Sequence, residues 1–144
     1  MPPADSVLIV RLGALGDVIH AIPVVAAIRA AFPAARIGWL VHQRFVPLLE
    51  CVEGLDRIHA MERRSSARVI GEVRRARYAV CLDLQGLLKS AALARVSGAR
   101  RVIGFSRTLL REPAAVLAYT ETGGDGSGHV IDKNLSVLGL LGVD

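Results

Sequence analysis

Two glycines and an aspartate follow the first apolar run of the chain. The stretch reads VRLGALGDVIHAIP over residues 10–23, with Gly13, Gly16 and Asp17 in its first half. The spacing is neither the G-x-G-x-x-G pattern of dinucleotide-binding loops nor the G-K-[ST] pattern of a P-loop. A phosphate bound here would also meet the Asp17 carboxylate. The pattern therefore gives little support to a dinucleotide or triphosphate site.

Two roles are open for Asp17. Aspartate is common in the first turn of a helix, where it caps backbone N–H groups and the positive end of the helix dipole keeps it ionised. Alternatively, a carboxylate held by glycine-lined backbone at the mouth of a cleft accepts a proton from a hydroxyl group. The first role is structural, and the second makes Asp17 a candidate general base.

A second polar cluster, Arg63-Arg64-Ser65-Ser66, comes after a predicted strand. Two guanidinium groups just before a helix N-terminus are well placed to bind phosphate, because that end of the helix also attracts anions. The alternative is an exposed loop with solvated arginines. Ser65 or Ser66 is predicted to cap the helix that follows.

A third cluster runs from Asp83 to Ser90 with the sequence DLQGLLKS. It leaves an apolar strand through a glycine and enters a helix. We expect Gln85 and Gly86 at the lip of a cleft, with Lys89 and Ser90 in the first helical turns. All four are candidate substrate-binding residues.

Strand-like and helix-like segments alternate along the chain. Apolar runs rich in β-branched residues predict strands at 6–12, 36–41, 55–61, 78–84 and 101–105. Helical patterns cover 16–31, 45–51, 65 or 66–77, 87–96, 111–119 and 129–141. Pro23 is expected to kink or restart the first helix, and 122–128 is expected to be a flexible glycine-rich loop.

This alternation predicts an α/β fold, a Rossmann-like parallel sheet with helices on both faces. With 144 residues the chain is expected to form a single domain, 1–144. Ligands of such sheets bind beyond the carboxyl ends of the strands. The three polar clusters all follow strands, so we expect them at that edge.

Basic residues are concentrated in the middle of the chain. Residues 57–111 hold thirteen Lys and Arg against three Asp and Glu, a net charge of +10, whereas the rest of the chain carries −5. Arginine outnumbers lysine 16 to 2, and its guanidinium group suits phosphate and carboxylate ligands. Two explanations of this basic segment are open. It binds an anionic partner, or the composition of the chain is biased towards arginine and these residues lie on solvated helix faces.

Composition excludes several classes of protein. No apolar run reaches the roughly 18 residues of a membrane span, and no signal peptide is recognisable. Cys51 and Cys81 show no ligand spacing, so neither a metal nor a disulfide is expected. Only 4% of residues are aromatic, and the basic segment has no recognition motif, which disfavours nucleic-acid binding. We expect a cytoplasmic protein.

Three motifs, in order, resemble a known family. They are IVRLGALGDVIHAIP at residues 9–23, DLQGLLKSA at 83–91 and REP at 111–113. Together they resemble the N-terminal half of the bacterial lipopolysaccharide heptosyltransferases of glycosyltransferase family 9, especially the heptosyltransferase I type. The resemblance covers nearly the whole chain.

The resemblance implies a GT-B glycosyltransferase with two Rossmann-like domains facing each other across a cleft. The N-terminal domain would bind the acceptor, phosphorylated Kdo–lipid A, and a C-terminal domain outside this chain would bind the donor, ADP-heptose. The reaction would invert the anomeric centre with neither metal nor cofactor. Because its acceptor is a lipid, the protein would be either free in the cytoplasm or peripheral at the inner membrane.

The resemblance also assigns roles to individual residues. Asp17, which follows Gly16, matches the general base of the family. Arg111 matches the arginine before Glu-Pro, and Arg63 and Arg64 match basic acceptor-binding residues. Gln85 and Lys89 match residues that line the substrate cleft. Without the donor domain, we expect the 144-residue chain to transfer no heptose.

Two other functions stay open on sequence grounds. One is a free-standing nucleotide- or dinucleotide-binding domain, against which the incomplete glycine pattern counts. The other is a nucleic-acid-binding module that uses the basic segment. Tight ADP or NAD binding would support the first, and salt-sensitive DNA binding would support the second.

Overall fold

A six-stranded parallel sheet forms the centre of the computed structural model, which describes residues 4–143. The strands are β1 (Ser6–Val10), β2 (Arg36–His42), β3 (Arg57–Met61), β4 (Val80–Asp83), β5 (Arg101–Phe105) and β6 (Glu121–Gly123). Their spatial order is β3-β2-β1-β4-β5-β6, and each neighbouring pair is parallel. The predicted domain ends, residues 1 and 144, lie outside the described residues.

Five α-helices connect or follow these strands. They are α1 (Leu15–Ala31), α2 (Val46–Leu49), α3 (Ser66–Ala76), α4 (Leu88–Val96) and α5 (Val130–Ser136). Short 3₁₀ helices occupy Gln43–Phe45, Arg63–Ser65, Arg107–Leu109, Pro113–Ala118 and Val137–Leu141. The predicted α/β class with a Rossmann-like sheet is confirmed. Within residues 4–143, no helix is both long and apolar enough to cross a bilayer.

The central strands bury both of their faces. In β1, Val7 and Ile9 point into the core beneath α1 and α5, whereas Leu8 and Val10 point into the core beneath α3. Alternate residues of a strand face opposite sides of the sheet, so a strand covered on both sides must be apolar throughout. This explains the unbroken apolar run at the start of the chain.

The predicted restart of the helix at Pro23 is wrong, because α1 runs continuously from Leu15 to Ala31, whereas the alternative of a kink at Pro23 stays a prediction. A proline inside a helix leaves the carbonyl four residues earlier without its partner. Here that carbonyl belongs to Ile19, which is exposed, so water can replace the lost hydrogen bond. Tertiary packing of the helix then outweighs the local cost.

The expected flexible loop at 122–128 is also partly wrong, because it begins inside strand β6. Ile103 pairs with Glu121, and Gly104 with Thr122. An ion pair joins Arg101 Nε to Glu121 Oε2 at 2.7 Å and anchors the strand. The glycine-rich composition of this segment is typical of a loop, so the short edge strand was not predicted.

Both helices predicted after β5 differ from the observed ones. The helix predicted at 111–119 is a 3₁₀ helix at Pro113–Ala118, and the helix predicted at 129–141 changes from α5 to a 3₁₀ helix after Ser136. Pro113 occupies the first position of its 3₁₀ helix, where a missing N–H costs nothing. Gly98 and Gly142 both have a positive φ at helix ends, a conformation that favours glycine.

A buried histidine provides a test of the packing between β3 and α3. His59 is fully buried, with Nδ1 2.7 Å from Glu72 Oε1 and Nε2 2.7 Å from the Tyr78 hydroxyl. Burial lowers the pKa of His59 below its ordinary value, although the hydrogen bond to Glu72 partly opposes this. The folded chain therefore favours neutral His59.

We expect the chain to lose stability on acidification because of His59. A histidine with a lowered pKa in the folded state stabilises fully above its unfolded pKa of about 6.5, and this contribution is lost as pH falls through the folded pKa. Urea unfolding should give a lower free energy of unfolding at pH 5.5 than at pH 7.5, and His59→Gln should remove the part of this difference that is due to His59. Higher stability at pH 5.5 than at pH 7.5, attributable to His59, would contradict this and show that the pairing with Glu72 dominates.

Candidate functional site

The main cleft lies at the carboxyl edge of the sheet, between the segments that leave β1 and β4. It encloses about 760 Å³ and is closed on its other side by residues that follow β5 and by α5. The strand order reverses at β1 and β4, and open α/β sheets bind ligands at this switch point. The fold thus places this cleft where the first and third polar clusters meet.

Asp17 lines this cleft in the first turn of α1, with 48% of its side chain exposed. Its Oδ2 atom accepts a hydrogen bond from the Ala14 backbone N–H at 3.3 Å, and the Arg11 guanidinium approaches the same oxygen to 2.7 Å. The two roles considered for Asp17 are therefore compatible. One carboxylate oxygen caps the helix while the side chain still faces the cleft.

Arg11 connects the two segments that form the floor of the cleft. It follows β1 directly, and its NH1 donates to the Leu84 carbonyl oxygen at 2.9 Å while NH2 contacts Asp17. Only 15% of its side chain is exposed. Arg11 was not among the predicted site residues, although an arginine at the end of an otherwise apolar strand is a signal that could have identified it.

Gln85 strengthens the same connection from the other side. Its Oε1 accepts a hydrogen bond from the Leu12 backbone N–H at 2.8 Å, and its side chain lines the cleft. Gly86 also lines the cleft and has a φ of +73°, which favours glycine. Gln85 and Gly86 thus lie at the cleft lip, as expected.

The predicted substrate-binding position of Ser90 needs correction. Ser90 is fully buried, and its hydroxyl donates to Asp83 Oδ2 at 3.1 Å and accepts from the Leu87 backbone N–H at 3.0 Å. Its place in the first turn of α4 turns it towards the sheet rather than the cleft. The hydroxyl holds the start of α4 against β4.

Asp83 is the centre of that buried network. Besides Ser90, it accepts hydrogen bonds from the backbone N–H groups of Gln85 and Gly86 and from the Tyr119 hydroxyl. Burial raises the pKa of Asp83, although its four hydrogen bonds oppose the shift. Asp83 shapes the lip from beneath, without facing the cleft itself.

Cations outnumber the single carboxylate in the cleft. Arg111, as predicted, lines it together with Lys133 of α5 and with Arg11, against Asp17 alone. Burial lowers the pKa of Lys133, and the nearby charge of Arg11 adds to the effect. Lys133 was not among the predicted site residues, because nothing in its local sequence shows that α5 reaches the cleft. A net positive cleft favours an anionic ligand.

The remaining predicted residues lie outside this cleft. Arg63 and Lys89 line a neighbouring hollow of about 630 Å³, together with His42 and Glu62. A smaller hollow contacts both Gln85 and Lys89 and so adjoins the main cleft. Arg64 is exposed beside Arg63.

Gly16 is an exposed residue of α1, and a Cβ atom there would meet nothing within 4 Å. The space beside Gly16 is therefore open, and its predicted contact with substrate stays a prediction.

These features define a Rossmann-like domain with a cationic ligand cleft at its switch point. The family model for glycosyltransferase family 9 (heptosyltransferase) matches residues 66–141, which is more than half of the chain. The chain therefore belongs to glycosyltransferase family 9. Asp17 lies outside the matched residues.

Curated relatives with similar sequences are lipopolysaccharide heptosyltransferases. The chain is 32% identical to lipopolysaccharide heptosyltransferase 1 of Campylobacter coli over 121 residues, covering 81% of this chain and 35% of the relative. It is also 32% identical to the Pseudomonas aeruginosa enzyme of the same name over 126 residues, covering 78% of this chain and 36% of the relative. The chain thus spans little more than a third of either relative.

Solved structures extend the similarity to nearly all of the chain. E. coli heptosyltransferase WaaC with ADP superposes with a TM-score of 0.87 at 26% identity, covering 96% of this chain and 48% of WaaC. E. coli ADP-heptose heptosyltransferase II shares the fold with a TM-score of 0.77 at 16% identity, covering 92% of this chain and 39% of that one. The fold is therefore that of the GT-B heptosyltransferases.

Proposed function

We propose that this chain is the acceptor-binding, N-terminal domain of an inverting glycosyltransferase that transfers heptose from ADP-heptose to the Kdo–lipid A inner core of lipopolysaccharide. The names of the relatives support the substrate class, since they are lipopolysaccharide heptosyltransferases. The observation that carries the proposal is Asp17, a half-exposed carboxylate in a cationic cleft at the switch point of the sheet.

In this mechanism Asp17 acts as general base. Its carboxylate takes the proton of an acceptor hydroxyl group, and that oxygen attacks the anomeric carbon of the donor. The bond from the anomeric carbon to the ADP phosphate oxygen breaks, and ADP leaves with the electron pair. Attack opposite the leaving group inverts the anomeric centre, so no covalent enzyme intermediate is needed.

The cations of the cleft hold the acceptor rather than perform chemistry. Arg111 and Lys133 face the same space as Asp17, and phosphate or carboxylate groups of the acceptor would pair with them. Arg63 and Lys89 in the neighbouring hollow would bind a more distant anionic group. Donor binding belongs to a second domain in this proposal, so the 144-residue chain alone should not transfer heptose.

Acceptor binding can be tested on the chain itself. We expect a deacylated, phosphorylated Kdo–glucosamine saccharide to bind, and Arg111→Gln to weaken its affinity about tenfold, because a charged hydrogen bond is worth about 1.5 kcal/mol or more. Titration calorimetry provides the measurement. Arg75→Gln, an exposed arginine on α3, is the control and should bind normally.

Two results would contradict the proposal. Binding of ADP without binding of the saccharide would favour a free-standing nucleotide-binding domain. Equal binding of DNA, with affinity falling steeply as salt rises, would favour a nucleic-acid module.

A further inference from the structure

The two oxygens of the Asp17 carboxylate have different contacts. The Arg11 guanidinium and the Ala14 backbone N–H both approach Oδ2. Within residues 4–143, no hydrogen-bond donor contacts Oδ1. The carboxylate is thus held through one oxygen, and the other is free to accept a proton.

The same guanidinium ties Asp17 to the far side of the cleft. Arg11 NH1 donates to the Leu84 carbonyl oxygen, and the Leu12 N–H donates to Gln85 Oε1, so the segment after β1 supplies both donors and the segment after β4 both acceptors. One of these hydrogen bonds uses a side chain of the first segment, and the other uses a side chain of the second. Arg11 is the member of this arrangement that touches Asp17.

The buried position of Arg11 reduces the stability of the fold. Its Nε is a buried donor without a hydrogen-bond partner among the described residues, and such groups reduce stability. Lysine has a single nitrogen on a flexible stem and cannot span Leu84 and Asp17 as a planar fork does. The geometry favours arginine for orientation, not for stability.

We infer that Arg11 is a positioning residue for transfer: it holds Asp17 through Oδ2 so that Oδ1 faces the acceptor hydroxyl. This inference rests on the proposed function, in which Asp17 is the base. Arg11 itself need not touch either substrate. Misplacing a reacting group by about 1 Å costs rate by up to about 100-fold, which sets the size of the expected effect.

The chain offers a closely matched control pair. Arg29 NH2 also lies 2.7 Å from a carboxylate oxygen, Oδ2 of Asp56, and 47% of the Asp56 side chain is exposed, against 48% for Asp17. Arg29 also donates to backbone carbonyl oxygens, as Arg11 does. This pair lies by the start of β2, at the opposite edge of the sheet.

The experiment uses a complete enzyme that includes this chain and measures steady-state kinetics with both substrates. Arg11→Gln should lower kcat about 10- to 100-fold while the KM for the acceptor changes less than about twofold, and Arg11→Lys should recover part of the rate. Arg29→Gln should reduce stability and leave kcat unchanged. Because Arg11 acts through Asp17, adding Arg11→Gln to Asp17→Asn should cause almost no further loss.

Three results would overturn the inference. These are an unchanged kcat for Arg11→Gln, a loss that appears mainly as a higher acceptor KM, or fully additive losses in the double variant. Full activity of Asp17→Asn alone would instead reject the proposed base. Failure of the inference and failure of the proposed function are therefore distinguishable.

Discussion

Asp17→Asn is expected to reduce the turnover of a complete enzyme containing this chain by about 100- to 10,000-fold, the usual contribution of a general base. Asparagine keeps the size of the side chain and an oxygen for the Ala14 N–H and Arg11, but it cannot take a proton. The affinity for the acceptor should remain nearly unchanged, because Arg111 and Lys133 still line the cleft. Measurement of kcat and of acceptor binding on the same variant separates the two effects.

Asp132→Asn provides a matched control for this prediction. Asp132 occupies the first turn of α5 just as Asp17 occupies the first turn of α1, and both are the third residue of their helix. Both substitutions remove a negative charge from a helix N-terminus, which costs at most about 1 kcal/mol of stability at an exposed site. Only Asp17→Asn should lower turnover by this factor. Near-normal turnover in Asp17→Asn would reject the general base.

Asp83→Leu should destabilise the chain by about 3–5 kcal/mol, the largest stability effect we expect. The substitution keeps the branched shape of the side chain, but it leaves three donors without an acceptor, namely the Tyr119 hydroxyl and the N–H groups of Gln85 and Gly86, whereas the Ser90 hydroxyl can still donate to the Leu87 carbonyl oxygen. Each buried unsatisfied group costs about 1–3 kcal/mol. Urea unfolding of the 144-residue chain measures the loss.

Asp83→Asn serves as the control because the amide keeps an oxygen for the two N–H groups and offers its NH₂ to the two hydroxyls. We expect a loss of about 1 kcal/mol. The pH dependence should also differ. Since burial raises the pKa of Asp83, its contribution is complete below the unfolded pKa of about 3.9 and is lost as pH rises through the folded pKa. The stability of Asp83→Asn should lack this pH dependence. Equal losses in the free energy of unfolding for the Leu and Asn variants would contradict the hydrogen-bond network described for Asp83.

Much of the site could be predicted before the structure because its signals are local. An apolar strand followed by Gly13, Gly16 and Asp17 places a carboxylate at the carboxyl edge of a parallel sheet. The glycine after Asp83 similarly predicts a lip formed by Gln85 and Gly86. Both placements agree with the structure, since alternation of strands and helices determines which ends of the strands share an edge.

Other features depend on contacts between distant parts of the chain. The polar cluster at 83–90 predicted Lys89 and Ser90 together as substrate-binding residues, whereas the structure buries Ser90 against Asp83 and exposes Lys89 in the neighbouring hollow. One position along a helix rotates a side chain by about 100°. Whether it faces a cleft or the core therefore depends on how α4 packs against the sheet.

The sequence by itself determined the α/β class, the edge of the sheet that carries the site and the position of Asp17 on that edge. Only the tertiary structure decided that Arg11 holds Asp17, that Lys133 reaches the cleft from α5 and that Glu121 begins a sixth strand. Periodicity and turn residues report short-range preferences of the backbone. Pairing between residues far apart in the chain depends on the register of the sheet and on helix packing, which no local pattern encodes.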